Sequence, residues 1–212
     1  MLEIEYKGGN SVNIATKDMQ LWIDANVSML GLKMARAASV VFLATETRFL
    51  PEIDTDAPML EGPGEYEAGP FAITGSATRR HIDTESESLQ STVYHIDVND
   101  FRIGLVGNVA VPLSEEQLET IGVVDILILP VGGNGYTLDA KSASGIVSQV
   151  EPKIVVPIHY ADSAINYEVP QDDVDSFVAE LGAPVERGDS KLKLKSASVL
   201  PATLTTVVIS RS

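Results

Sequence analysis

Val124-Asp125-Ile126-Leu127-Ile128-Leu129-Pro130-Val131-Gly132-Gly133 decides the fold class. From Val124 to Leu129 every side chain but Asp125 is apolar, with no alternation of wet and dry positions. That pattern marks a strand buried on both faces. Such a strand needs cover on each side, and the flanking sequence supplies helices. Upstream, Ser114-Glu115-Glu116-Gln117 forms a capping box, in which the Ser114 hydroxyl takes the Gln117 amide and the Gln117 side chain reaches back. Acids at 115 and 116 suit the positive end of the helix dipole, and Gly122 ends the helix. Downstream, Thr137 with Asp139 opens a second helix whose apolar face is Ile146, Val147 and Val150. Lys153 to Ile158 reads as another buried strand. Pro170 is predicted to start a last long helix carrying Val174, Phe177, Val178 and Leu181, with Gly182 stopping it. Two strand-like tails, Lys191–Lys195 and Thr203–Ile209, close the chain, the first an edge strand guarded by lysines.

The first half has a different rhythm. Leu2, Ile4 and Tyr6 alternate with Glu3 and Glu5, Gly8-Gly9-Asn10 is a turn, and Val12 and Ile14 alternate again, which predicts a hairpin. Met19 to Ile23 is a third strand ending at Asp24. Residues 28–37 read as weak helix or loop, and Ser39 to Leu43 as a buried strand. Residues 51–69, rich in proline, glycine and acid, are predicted to be loop and turn. Strands follow at Phe71–Gly75, Thr92–Asp97 and Phe101–Val106, and the polar segment 78–90 reads as a mobile loop. Antiparallel strands followed by βα units predict an α/β sandwich, sheets inside and helices outside, as one domain over residues 1–212.

Composition limits the function classes. Thirty acids against fifteen lysines and arginines give a net charge of −15, which disfavours nucleic acid and anionic membrane surfaces. The absence of cysteine excludes disulfides and thiolate-bound metals. No basic, apolar leader opens the sequence and no apolar run reaches the ~20 residues that span a bilayer, so a cytoplasmic protein is expected. No Gly-X-Ser-X-Gly elbow supports an acyl-transfer nucleophile. Gly132-Gly133-Asn134-Gly135 lacks the lysine and hydroxyl of a phosphate loop and reads as a tight turn.

Ligands of such folds gather in loops leaving the carboxyl ends of strands, here residues 45–50, 107–112 and 158–163. Those loops, with Gly62-Pro63-Gly64-Glu65-Tyr66-Glu67, Leu113-Ser114-Glu115-Glu116-Gln117-Leu118, the opening run and Glu151-Pro152-Lys153-Ile154-Val155-Val156-Pro157-Ile158-His159-Tyr160, are similar to the metallo-β-lactamase superfamily. The likeness is to its small, stand-alone, lactonase-like members and covers nearly the whole chain. It implies a four-layer αβ/βα sandwich, a zinc site at those loops, and assembly into homo-oligomers.

Carried over position by position, the metal site is mostly absent. Thr45 and Thr47 stand where the family's His-X-His-X-Asp-His motif has its first two histidines, and Phe49 and Leu50 replace its aspartate and third histidine. Arg80 or, one residue on, His81 occupies the next ligand position, and Asn108 replaces the bridging aspartate. Asn10 stands where relatives place Gly-His, Asp24 matches an acid used near the site, and His159 is present without adjustment. A catalytic zinc needs three protein ligands at about 2.0–2.2 Å, and only a bound metal lowers the pKa of attacking water toward ~7. The resemblance therefore implies a fold without family-type hydrolysis, no catalytic residue and no cofactor. A binding, regulatory or structural subunit is expected, its cleft lined by Thr45, Glu46, Thr47, His81, Asn108 and His159 and suited to a small polar ligand, unless Phe49 and Leu50 fill it. The alternative is a metal-dependent hydrolase with a rewired mononuclear zinc site using Glu46, His81, His159 and Asp162. His95, inside a strand beside Tyr94, reads as structural.

Overall fold

The computed structural model describes residues 1–34, 38–81 and 90–212. In chain order the strands begin with β1 (Leu2–Gly8), β2 (Ser11–Ala15), β3 (Gln20–Ile23), β4 (Val40–Ala44), β5 (Met59–Glu61), β6 (Gly64–Ala68) and β7 (Phe71–Arg79). They continue with β8 (Gln90–Val98), β9 (Phe101–Leu105), β10 (Ile126–Pro130), β11 (Ile154–Ile158), β12 (Val185–Arg187), β13 (Lys191–Leu194) and β14 (Thr205–Val208). The helices α1 (Glu115–Ile121), α2 (Ala140–Val150) and α3 (Val174–Leu181) follow β9, β10 and β11 respectively.

Among the described residues these strands make two sheets, ordered β13-β1-β2-β3-β4-β5 and β12-β14-β11-β10-β9-β8-β7-β6. The opening run is the parallel heart of the second sheet, since β10 pairs in parallel with both β9 and β11. All five residues of β10 are buried. Inner faces of the two sheets share one core, with Ile4, Ile14, Leu21 and Leu43 meeting Ile73, Ile96, Ile103, Ile128 and Val156. A second core packs Leu127, Leu129 and Val155 beneath Ile121, Ile146, Val147 and Phe177 of the helices. Period-two alternation in the strands and 3.6-residue alternation in the helices divide the side chains between these layers.

This is the expected α/β sandwich, with a difference in its outer layers. Helices cover the eight-stranded sheet. Over the six-stranded sheet the described cover is a small cluster of Trp22, Ala25 and Phe42 under Met34, Leu50 and Ala57. Beyond it the face is wet: Lys191 pairs with Glu3 and Glu5, and Lys193 with Glu3.

Several expected boundaries move. Residues 51–69 contain β5 and β6 rather than loop alone, and the chain crosses there from one sheet to the other. The last helix starts at Val174, capped by Asp173, not at Pro170, and is short. Residues 161 and 172 are the cause: Asp172 donates its amide to the Gly132 carbonyl and accepts from Ala161, holding this stretch extended against the sheet. Strand β7 runs to Arg79, so 78 and 79 are not loop, and residues 82–89 of the predicted loop lie outside the described residues, as do 35–37. Strand β12 carries no alternating pattern and was not expected. Among the described residues no helix is long and apolar enough to cross a membrane.

Candidate functional site

Strand β11 delivers His159 to the carboxyl edge of the sheet, and the chain turns there in the left-handed region, φ 51°. The turn is held because the His159 amide donates to the Tyr6 hydroxyl at 3.2 Å, and its Nδ1 meets Asn10 Oδ1 at 2.8 Å. Rings of Tyr136 and Tyr167 lie 5.3 and 5.1 Å from the imidazole, centroid to centroid. The side chain is 3% exposed, and burial, aided by the field of Arg48, pushes its pKa down to about 3. It is a neutral ring whose Nε2 has no partner among the described residues. Gly132, from the opening run, makes this approach feasible, since a Cβ there would strike the His159 carbonyl oxygen.

Opposite, Asp24 follows β3 with φ 47° and is buried. Its carboxyl accepts the Thr45 amide and the Thr45 hydroxyl, each at 2.7 Å. Burial nevertheless dominates and raises its pKa to about 8. The next residue, Glu46, accepts from Arg48 Nε at 2.8 Å, Asn108 Nδ2 at 3.2 Å and Arg80 Nη1 at 3.4 Å. Arg48 also donates to the Tyr136 hydroxyl at 3.2 Å and lies 4.6 Å from the centre of the Phe49 ring. Two guanidinium groups therefore converge on one carboxylate at the loop after β4.

Beside this network lies a cleft lined among others by Asn10, Phe49, Tyr136, His159, Tyr167 and Gln171. Of the six residues expected to line it, His159 does. Thr45 is turned to Asp24, Glu46 and Asn108 are joined beneath Arg48 and Arg80, and Thr47 is exposed. His81 donates its amide to the Asn108 carbonyl, and its Nδ1 lies 3.2 Å from the Val109 carbonyl oxygen. Phe49 faces the cleft, whereas Leu50 packs on the outer cluster with Trp22 and Phe42. His95 bonds the Ile121 carbonyl at 2.7 Å and stands away from the cleft, as a structural histidine does.

Of the alternative metal set, Glu46, His81 and His159 have the partners given above. Asp162 accepts from Arg211 Nε at 2.5 Å and from the Ala164 amide, which fixes its own turn. Among the described residues no three of histidine, aspartate and glutamate come together as a metal site. The buried Nε2 of His159, an acid hydrogen-bonded to Thr45 through both oxygens and a glutamate already holding two cations do not make the donor set of a zinc ion.

Residues 3–159 match the model of the Beta-lactamase superfamily domain. The chain belongs to that superfamily. It is 33% identical over 96 residues to a UPF0173 protein of Pyrococcus abyssi, covering 45% of this chain and 44% of that one. It is 31% identical over 100 residues to a UPF0173 metal-dependent hydrolase of Carboxydothermus hydrogenoformans, covering 47% and 34%. The chain thus spans less than half the length of these curated relatives. Among solved structures, a Thermotoga maritima protein assigned to the Zn-dependent hydrolases of the metallo-beta-lactamase superfamily matches with a TM-score of 0.75 at 18% identity, over 99% of both chains. The Bacillus subtilis metallo-beta-lactamase fold protein YhfI matches with a TM-score of 0.58 at 10% identity, over 100% and 98%.

Within the superfamily fold, the residues that sequence reasoning passed over are Arg48, Tyr136 and Tyr167. Arg48 stands inside the loop read for metal donors, where a cation has no place. Tyr136 closes the glycine run taken as a plain turn. Tyr167 has no motif around it, and only the fold brings it to His159.

Proposed function

We propose that this superfamily member is a non-catalytic subunit whose cleft binds a small polar ligand. The observation that carries this reading is the double guanidinium clamp on Glu46. Arg48 and Arg80 bring fixed positive charge to the loop after β4, and a dication arriving beside them meets repulsion where it needs donors. The cleft beside them is enclosed on one side by neutral groups, His159 and the tyrosines, which suits an uncharged polar guest.

A second reading, a metal-dependent hydrolase with a rewired mononuclear site, is favoured by the UPF0173 metal-dependent hydrolases among the relatives. One measurement separates the two. Protein purified without tag or chelator is offered zinc, desalted, and its metal measured by plasma mass spectrometry. The binding reading expects well under one zinc per chain. A full equivalent that disappears in His159→Asn and Glu46→Gln would overturn it in favour of the hydrolase.

A further inference from the structure

Residues 161–172, between β11 and α3, contain no helix or strand, and the two ends of this loop touch. The Ala161 amide donates to the Asp172 carbonyl at 2.9 Å, and the Asp172 amide donates to the Gly132 carbonyl at 2.7 Å. A surface loop closed at its neck in this way is an Ω-loop. It supplies one wall of the cleft, with Asn166, Tyr167, Glu168, Val169 and Gln171. Met29 and Leu30, from the 3-10 turn Val27–Leu30, also line the cleft. The Asn166 amide donates to the Leu30 carbonyl at 3.1 Å and latches the loop to that turn. Inside the cleft the polar groups are shut away. His159 Nε2, Asn10 Nδ2 and Gln171 Oε1 are buried without a hydrogen-bond partner among the described residues, while Asp24 is already bonded to Thr45. Polar atoms left so carry a desolvation cost until a guest or water reaches them. The loop itself gives up little on moving, because Ile165 is its one buried residue. Segments with so few buried apolar contacts open well before the whole fold does.

We infer that residues 161–172 are a lid, hinged at its Ala161–Asp172 neck, which parts Asn166 from Leu30 and withdraws Ile165 to admit a guest to His159. The inference rests on the binding reading above and adds how entry to that cleft is controlled.

A staple tests the lid directly. A Cβ placed on Gly31 would lie 3.9 Å from Asn166 Cβ, within the span of about 3.5–4.5 Å that a disulfide bridges. The chain has no cysteine of its own, so Gly31→Cys combined with Asn166→Cys gives one bond that locks the lid when oxidised and frees it when reduced. Each single variant controls for strain at Gly31, whose φ is 74°. Access is read with diethyl pyrocarbonate, which acylates neutral imidazole, the form His159 holds. Peptide mass spectrometry follows His159, with His81 and His95 as references in the same chain. His159 is expected to be labelled in the wild type and in the reduced pair, and oxidation should slow it at least about tenfold with the reference rates unchanged. Ile165→Ala removes the loop's buried anchor and should speed labelling of His159 roughly tenfold. That variant decides the question if the cysteine pair does not fold or does not oxidise, as judged by circular dichroism and thiol titration. Equal rates with the staple closed, or no effect of Ile165→Ala, would overturn the lid. So would labelling sped at least about fivefold by about 1 M urea, which marks access through global unfolding. Those failures leave the binding cleft in place, whereas the binding reading itself fails on stoichiometric zinc uptake.

Discussion

Burial acts on Asp24 and His159 in opposite directions, and the two effects occupy different pH ranges. Asp24 holds its proton up to about 8 in the folded chain against an ordinary 3.8, so its contribution falls as pH rises from 3.8 through 8. His159 resists protonation down to about 3 against an ordinary 6.5, so its contribution falls as pH drops from 6.5 toward 3. Between 3.8 and 6.5 the slopes cancel, and above 6.5 the aspartate acts alone. Thermal melts against pH should therefore show a decline between 6.5 and 8 that Asp24→Asn abolishes; an unchanged decline in that variant would assign it elsewhere. The Thr45 hydroxyl is the other half of the contact. Thr45→Val removes one donor to a buried carboxyl and should cost about 1–2 kcal/mol in urea unfolding. Gly132→Ala drives a methyl group onto the His159 carbonyl and should cost about 2 kcal/mol or more, with the cleft distorted as well.

Elements differ in how much of their cause is local. Helix α1 is set by four adjacent residues, and the capping box is present in both directions, Ser114 accepting from Gln117 and the Gln117 side chain accepting the Ser114 amide. Ser114→Ala should therefore destabilise by about 1 kcal/mol, measured by chemical denaturation, while Glu115→Gln changes little. The buried parallel strands were legible for a related reason, because burial on both faces leaves no polar position. Strands β5, β6 and β12 were not. They are edge or crossing strands, defined by their partners across the sheet and not by their own alternation. The start of α3 was misplaced because Pro170 is a permissive signal, while the Asp172 contacts to Gly132 and Ala161 are set by tertiary structure. At the cleft, His159 and Asn10 were visible as single positions in a familiar frame. Their pairing, and the convergence of Arg48 and Arg80 on Glu46, join residues far apart in the chain, and no spacing in the sequence encodes them.

The whole molecule carries a net charge of −15, and its described cations are largely committed to ion pairs, as with Arg102 and Lys153 on Asp125. Unpaired acids then repel one another across the surface, so the midpoint of thermal unfolding should rise as salt is increased from about 10 to 150 mM, where the screening length shrinks from roughly 30 to 8 Å. A flat or falling midpoint would show that attractive pairs outweigh that repulsion. The sheet order has a further consequence. Strand β1 is flanked by β2, its neighbour in sequence, and by β13, which begins at Lys191. Ribosomal synthesis thus delivers the first five strands well before their outer partner. Until Lys191–Leu194 emerges, a nascent chain displays a bare strand edge at β1. The inner apolar face of β1–β4 likewise waits for the second sheet. Translation pauses before Lys191–Leu194 has emerged are where this protein is most open to capture by chaperones or by its own copies.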